Sequence, residues 1–205
     1  DGGVNVRVKI LDQELELANH PAAIEALFSM IDEKLKDTGY ALSSLIVDGV
    51  AIDTDYALYL SQRITEIQEI KVEVKSLRRL MVETMQTAVE YLERAQPEVE
   101  RLGNDFYQGP TEDTWNKFSQ LLEGLEWLLE AGTVIESFHP EQQIATRWGA
   151  QFKEKIKLLR DAMENSDHVL LGDLLQYEIS PLFTALDEEI RKLLSTEGSN
   201  PSVIN

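Results

Sequence analysis

The sequence predicts an α+β chain in which a small module of strands and short helices precedes an all-helical module. Before Ser76 apolar residues alternate in short runs: Val4, Val6, Val8 and Ile10 near the start, then Ile70, Val72 and Val74. After it they recur every three or four residues, from Leu77, Leu80 and Met81 through Ala88 to the C-terminus. A period of two lays one face of a strand on a core, and a period near 3.6 lays one stripe of a helix there. A length of 205 residues allows one or two cores. The division is into residues 1–75, residues 76–197 and a flexible tail over 198–205.

Val4 to Ile10 reads as a strand with Asn5, Arg7 and Lys9 on its wet side. An Asp12-Gln13 turn leads to a second strand, Glu14 to Ala18. Asn19-His20-Pro21 supplies a helix start, since proline lacks only an N–H that the first turn leaves unused. Ile24, Leu27, Phe28, Ile31 and Leu35 form that helix's face, and Gly39 is placed to end it. Leu45 and Val47 begin a third strand. Asp48-Gly49 is a hairpin signal, because both residues tolerate positive φ, and Ile52 lies on the return. A helical piece over Tyr56 to Ile64 and a strand over Glu69 to Lys75 complete the module.

This order of strand, strand, helix, strand, short return and strand resembles the β-grasp fold of ubiquitin-like domains over about residues 4–75. A rigid recognition platform is one use open to that fold, and fold alone does not decide between uses. Conjugated members of that superfamily end in a free Gly-Gly tail, whereas here the last strand runs into a helix, so modifier chemistry is not expected.

Four long helical stretches follow. The first starts after Ser76, a cap residue, and Gly109-Pro110 breaks it. Thr111 caps the second, with Trp115, Phe118, Leu122, Leu125 and Leu129 as its stripe and Leu121, Leu128 and Ile135 widening it. Pro140 marks the third, and Asn165-Ser166-Asp167 precede the fourth. Similar lengths and short connections predict an antiparallel four-helix bundle. Pro97 and Pro181 sit inside the apolar register, so each predicts a kink rather than an end. Curvature around the core is the preferred explanation. The alternative is a pocket between the bends, with carbonyls freed at Glu93 and Tyr177.

Asp and Glu number 37 against 19 Lys and Arg, a formal charge of −18. Up to Ser76 there are 14 acids and 7 bases, and beyond it 23 and 12. Such a field repels nucleic acid and anionic membrane, so neither is an expected partner. No apolar run approaches the ~18–20 residues of a membrane span. The absence of cysteine excludes disulfides and thiolate chemistry, and a cytoplasmic location is the default expectation.

Glu136-x-x-His139 is the spacing used by di-iron carboxylate bundles, but those carry two such motifs and this chain has one. His139 also precedes Pro140, so a surface histidine at a helix end is the better reading, and no metal or other cofactor is expected. No serine lies in a nucleophile elbow, and Gly2-Gly3 precedes a strand rather than a phosphate-binding helix. No catalytic residue is assigned. Trp115, Phe118 and Trp148 read as core, whereas Trp127 lies off the stripe and faces the other module or a partner.

The layout also resembles that of uncharacterised bacterial proteins joining a small α/β N-terminus to an acidic helical C-terminus, over Gln120 to Leu129 (QLLEGLEWLL) and Leu170 to Leu182 (LLGDLLQYEISPL). That resemblance brings no activity with it. The expected function is a non-enzymatic interaction protein, an adaptor, scaffold or chaperone-like binder, acting on a protein partner or on itself. Trp127, Leu121, Leu128 and Tyr177 are its candidate binding residues. The alternative is a small-molecule binder or enzyme with a pocket between the kinked helices or at the domain junction.

Overall fold

The computed structural model describes residues 5–198. Val4 of the first expected strand and residues 199–205 of the expected tail lie outside that range. The chain is α+β and divides into two units, Asp1–Leu80 and Met81–Asn205.

Among the described residues the first unit holds strands β1 (Val6–Ile10), β2 (Gln13–Leu17), β3 (Tyr40–Val47), β4 (Val50–Ile52) and β5 (Glu69–Ser76), with helices α1 (Ala23–Leu35) and α2 (Tyr56–Arg63). They form one mixed sheet in the order β2-β1-β5-β3-β4. The central pair β1 and β5 is parallel, with Val8 beside Ile70 and Ile10 beside Val72, and every other pair is antiparallel. Alternation places Val6, Val8 and Ile10 in a core with Ile24, Leu27 and Ile31 of α1. On the opposite face Arg7 and Lys9 lie 3.5 and 3.3 Å from Glu69.

The Asp48-Gly49 hairpin forms as its sequence requires. Both residues have positive φ, 46° and 86°, and Val47 pairs with Val50 across the turn. The Asp48 carboxylate also accepts the Glu69 and Gln68 backbone N–H groups at 2.9 and 3.2 Å, which fixes the start of β5. Elsewhere boundaries move. The β1–β2 turn is Leu11-Asp12, with Leu11 at φ 52° and Gln13 already paired. α1 begins at Ala23 because His20 and Pro21 are used in a preceding turn, where the His20 ring accepts the Ala22 N–H at 3.0 Å. α1 ends at Leu35, and Gly39 (φ 78°) instead serves the loop into β3. β3 starts at Tyr40, not Leu45, because pairing with β5 extends to Tyr40 opposite Ser76 despite a register shift between Leu42 and Ser44. Ladder pairing here overrides a weak local pattern.

The helices that follow are α3 (Leu77–Gln108), α4 (Glu112–Phe138), α5 (Ile144–Glu164), α6 (His168–Leu174) and α7 (Ser180–Gly198). The Ser76 hydroxyl accepts the Arg79 N–H at 3.4 Å, so one residue ends a strand and caps a helix. Thr111 caps α4 through a reciprocal box with Thr114. A 3-10 turn over Pro140–Gln142 separates α4 from α5, and Asp167 caps α6 by accepting the Leu170 N–H at 3.0 Å.

Buried residues on α3 fall at Met81, Met85, Ala88, Leu92, Ala95, Val99, Leu102 and Phe106, alternating steps of four and three. α4 repeats this with Phe118, Leu121, Leu125, Leu128, Gly132 and Ile135. The 3.5-residue repeat is that of helices packing at a shallow angle. It also reverses one expectation: Leu121, Leu128 and Ile135 are the core line of α4, while Trp115, Leu122 and Leu129 flank it half-buried. Packing selects the heptad positions over the wider apolar stripe that both sets share.

The helices meet in opposite senses. Phe106 of α3 lies against Phe118 of α4 and Tyr91 against Trp127. Glu136 and Glu126 of α4 bond to Thr146 and Arg160 of α5. Phe152 meets Phe183, and α3 meets α7 through Gln96 with Thr184 and Glu93 with Arg191.

The prolines behave differently from each other. α3 continues through Pro97, which is exposed, whereas Pro181 follows a π turn over Leu175–Ile179 that joins α6 to α7 without a break. Pro181 has no N–H for the Tyr177 carbonyl, and the wider turn absorbs this defect. Leu171, Leu175, Ile179 and Phe183 stay fully buried along it.

Gly124 lets the Tyr91 side chain of α3 lie against α4. A β-carbon there would stand 1.9 Å from the Tyr91 hydroxyl oxygen, and Tyr91 is held between Trp127 and Phe183. Gly124→Ala should therefore lower stability by about 1–2 kcal/mol, the overpacking cost outweighing the ~1 kcal/mol propensity gain. A thermal melt unchanged or raised would contradict this packing.

Candidate functional site

The three histidines serve local structure. His139 ends α4, with only 13% of its side chain exposed, and its Nε2 lies 2.9 Å from Oε1 of the buried Glu197. It is thus a mostly buried cap rather than the expected surface residue, because the end of α7 covers it. Glu136 points elsewhere: its carboxylate accepts the Thr146 N–H at 3.1 Å and the Thr146 hydroxyl at 3.0 Å. That interaction serves the first turn of α5, whose own N-cap Gln143 makes no side-chain bond. The His168 ring lies 5.9 Å from Trp115 and 6.3 Å from Phe106. Among the described residues no group of three or more His, Asp or Glu is placed to hold a metal ion.

Trp148 contributes its ring to the core while its indole N–H donates to Glu189 at 2.7 Å, and Arg147 pairs with the same carboxylate. A polar tip met by a fixed acceptor is what burying a tryptophan requires.

Two grooves are prominent among the described residues of the helical unit. One, of about 330 Å³, lies between α3 and α4, with Val99, Leu102 and Leu121 as an apolar floor and Tyr91, Arg94 and Lys117 at its walls. Burial raises the Tyr91 phenol above its ordinary value of 10.0. The second, of about 350 Å³, lies between α5 and the π turn, lined by Trp148, Gln151, Glu154, Lys155, Tyr177 and Pro181. The seam between α3 and α7 beside the two prolines is crossed by hydrogen bonds of Gln96 with Thr184 and of Ser180 with Glu100. Neither helical groove is lined by residues of both α3 and α7. In the sheet unit a shallow site of about 400 Å³ is bordered by Ile52, Asp53, Leu58 and Tyr59, with the Arg63 guanidinium 4.2 Å above the Tyr59 ring.

The four candidate binding residues are not equivalent. Leu121 and Leu128 are 6% and 4% exposed, so their apolar area goes to the core. Trp127 is half-buried within the helical unit, edge-on to Tyr91 at 6.2 Å. Tyr177 stands out, 71% exposed on the π turn. Leu170, an apolar position in excess of one stripe in the sequence, is exposed on the same run, and so is Val169, which sequence reasoning missed. Their signal was present in the adjacency of Val169, Leu170 and Leu171, which one buried line cannot absorb.

Tyr107 donates its hydroxyl hydrogen to Asp173, and that bond raises its titration from 10.0 to about 12. Its ring also packs where a β-carbon on Gly172 would stand, 2.5 Å from it.

A family model described as Domain of unknown function (DUF8042) matches residues 83–189, more than half of the chain, and the chain belongs to that family. The match spans both helical grooves, Trp127 and Tyr177. No curated protein and no solved structure matches the chain.

Trp127→Ala should cost about 2 kcal/mol of stability, less than the ~3–5 kcal/mol of a fully buried aromatic, in a denaturant titration. A loss near zero would mean that its contact with Tyr91 holds nothing. The Tyr107 bond should favour the fold fully below about pH 10 and be lost as pH rises through about 12. In ultraviolet titrations, Tyr107→Phe should remove a late-titrating phenol and Asp173→Asn should bring it back towards 10. Identical curves for Asp173→Asn and the unaltered protein would refute that assignment.

Proposed function

We propose that this DUF8042 chain is a non-enzymatic, cytoplasmic protein-interaction module, an adaptor, scaffold or chaperone-like binder. The observation that carries this reading is the exposure of Val169, Leu170 and Tyr177 on one continuous helical run, beside a core that is already complete. Large aromatic and aliphatic groups left in water on an ordered helix are the usual anchors of a partner surface. The histidines and the best-placed carboxylates support it indirectly, since Glu136, Glu189 and Glu197 each brace a helix end or a buried ring.

We read the helical unit as an antiparallel four-helix bundle, with α6, the π turn and α7 counted as one helix. The opposed pairing of α3, α4, α5 and α7 supports this. The sheet unit is read as β-grasp-like, supported by its central parallel pair flanked by two hairpins and crossed by α1. Both parts agree with the resemblance to bacterial proteins of this layout. A rigid sheet and a rigid bundle give a scaffold two platforms on which to display contacts.

A second reading rests on the α3–α4 groove, whose apolar floor is flanked by Arg94 and Lys117 against one acid, Glu98, and so suits a small amphipathic anion. The two separate experimentally. Cross-linking and affinity purification of the full chain should recover a specific protein partner whose binding is lost with Val169→Asp. A metabolite screen by thermal shift should find nothing comparable to the ~2.7 kcal/mol that a ligand at a hundredfold excess over Kd provides. A reproducible shift with one anion, abolished by Arg94→Ala, together with no captured partner, would favour the second reading.

A further inference from the structure

We propose that the groove between α5 and the π turn, with Tyr177 at its rim, docks a basic amphipathic segment of a partner protein; this rests on the interaction reading above and names its face. The groove offers an apolar base from Trp148, Pro181 and Leu182, and a largely free aromatic ring in Tyr177. Leu170, seven residues before Tyr177 on the same run, is also exposed. π turns are rare and recur at functional positions, and this one presents its tyrosine outward instead of packing it.

Charge selects the occupant. Glu154 and Glu178 line the groove against one base, Lys155, whose ammonium is already tied to Glu178 at 3.1 Å. Beyond Ser76 acids outnumber bases by 23 to 12. A second copy of this chain would bring the same negative excess to the contact, and nucleic acid would bring more, so both are repelled. A segment carrying Lys or Arg beside Leu or aromatic residues would gain from the field. Its apolar side chains would enter over Pro181, and a cation could stack on the Tyr177 ring with Glu154 beside it.

The probe is a fluorescently labelled amphipathic Leu/Lys helix, with a Leu/Glu helix of the same length as control, titrated into the full chain by anisotropy. The Leu/Lys peptide should bind and the control should not. Tyr177→Ala and, separately, Glu154→Lys should each weaken binding by about tenfold with unchanged circular dichroism. Amide shift changes in NMR should concentrate at Gln151, Tyr177 and Leu182. Equal affinity in both variants would show attraction to the general field alone and overturn the site, as would shifts centred on the α3–α4 groove. A captured natural partner whose binding survives both variants would also overturn this face while leaving the interaction reading intact. Groove docking as expected, with no partner recovered by cross-linking, would support the groove and count against the interaction role.

Discussion

The helical unit depends on removing one heptad-spaced line of side chains from water on each of its long runs. These helices carry many like charges, and isolated helices of this kind gain little from propensity alone. On α3 the line from Met81 to Phe106 is nearly solvent-free, and α4 answers it from Phe118 to Ile135. At about 25 cal/mol per Å² of apolar surface, that burial is the only contribution large enough to hold such charged helices. The aromatic contacts of Phe106 with Phe118 and of Phe152 with Phe183 then fix the register at which neighbours meet. The remaining polar detail, including the Thr111 cap and the Glu136–Thr146 corner, decides where helices stop rather than whether they form.

Much of this was legible in the residues. The change of period at Ser76, the Asp48-Gly49 hairpin, the Thr111 and Asp167 caps and the break at Gly109 all follow from short-range chemistry and occur where that chemistry places them. What failed was long-range. The start of β3 is set by its pairing with β5, and no property of Tyr40 to Ser44 announces it. On α4 two apolar lines compete, and only the positions of α3 and α5 choose Leu121 and Leu128 for the interior. Two of the four candidate binding residues were therefore drawn from the core. Tyr177 and Trp127 differ in the same way: both are large aromatic residues, and only the neighbouring ring of Tyr91 distinguishes the half-buried one.

The polar groups follow a consistent pattern. Glu136 and His139, which share a spacing suggestive of metal chemistry, diverge to different partners once the α4–α5 corner is formed. Glu189 accepts from the indole of Trp148, and Asp173 from the phenol of Tyr107. Each carboxylate satisfies the polar end of an otherwise apolar ring, which lets large aromatics sit at helix boundaries without leaving a donor unpaired. An acidic composition thus has a structural use within the fold as well as an electrostatic one outside it.

The π turn records a count. Between Leu171 and Phe183 the chain contains more residues than an unbroken α-helix would need to keep those two side chains on one line. Removing a single residue from Leu175–Ile179 would let the run close into regular α-helix with Leu171 and Phe183 still on one line, because the steps left between them, at about 100° each, make close to three whole turns. The same removal from α6 or α7, with no wider turn to absorb it, would rotate one side by about 100° against the other and swing Leu171 out of the core. The π turn is thus the place where this run can lose a residue. Among sequences that share this fold, single-residue gaps should fall within Leu175–Ile179 rather than in the α-helices on either side of it.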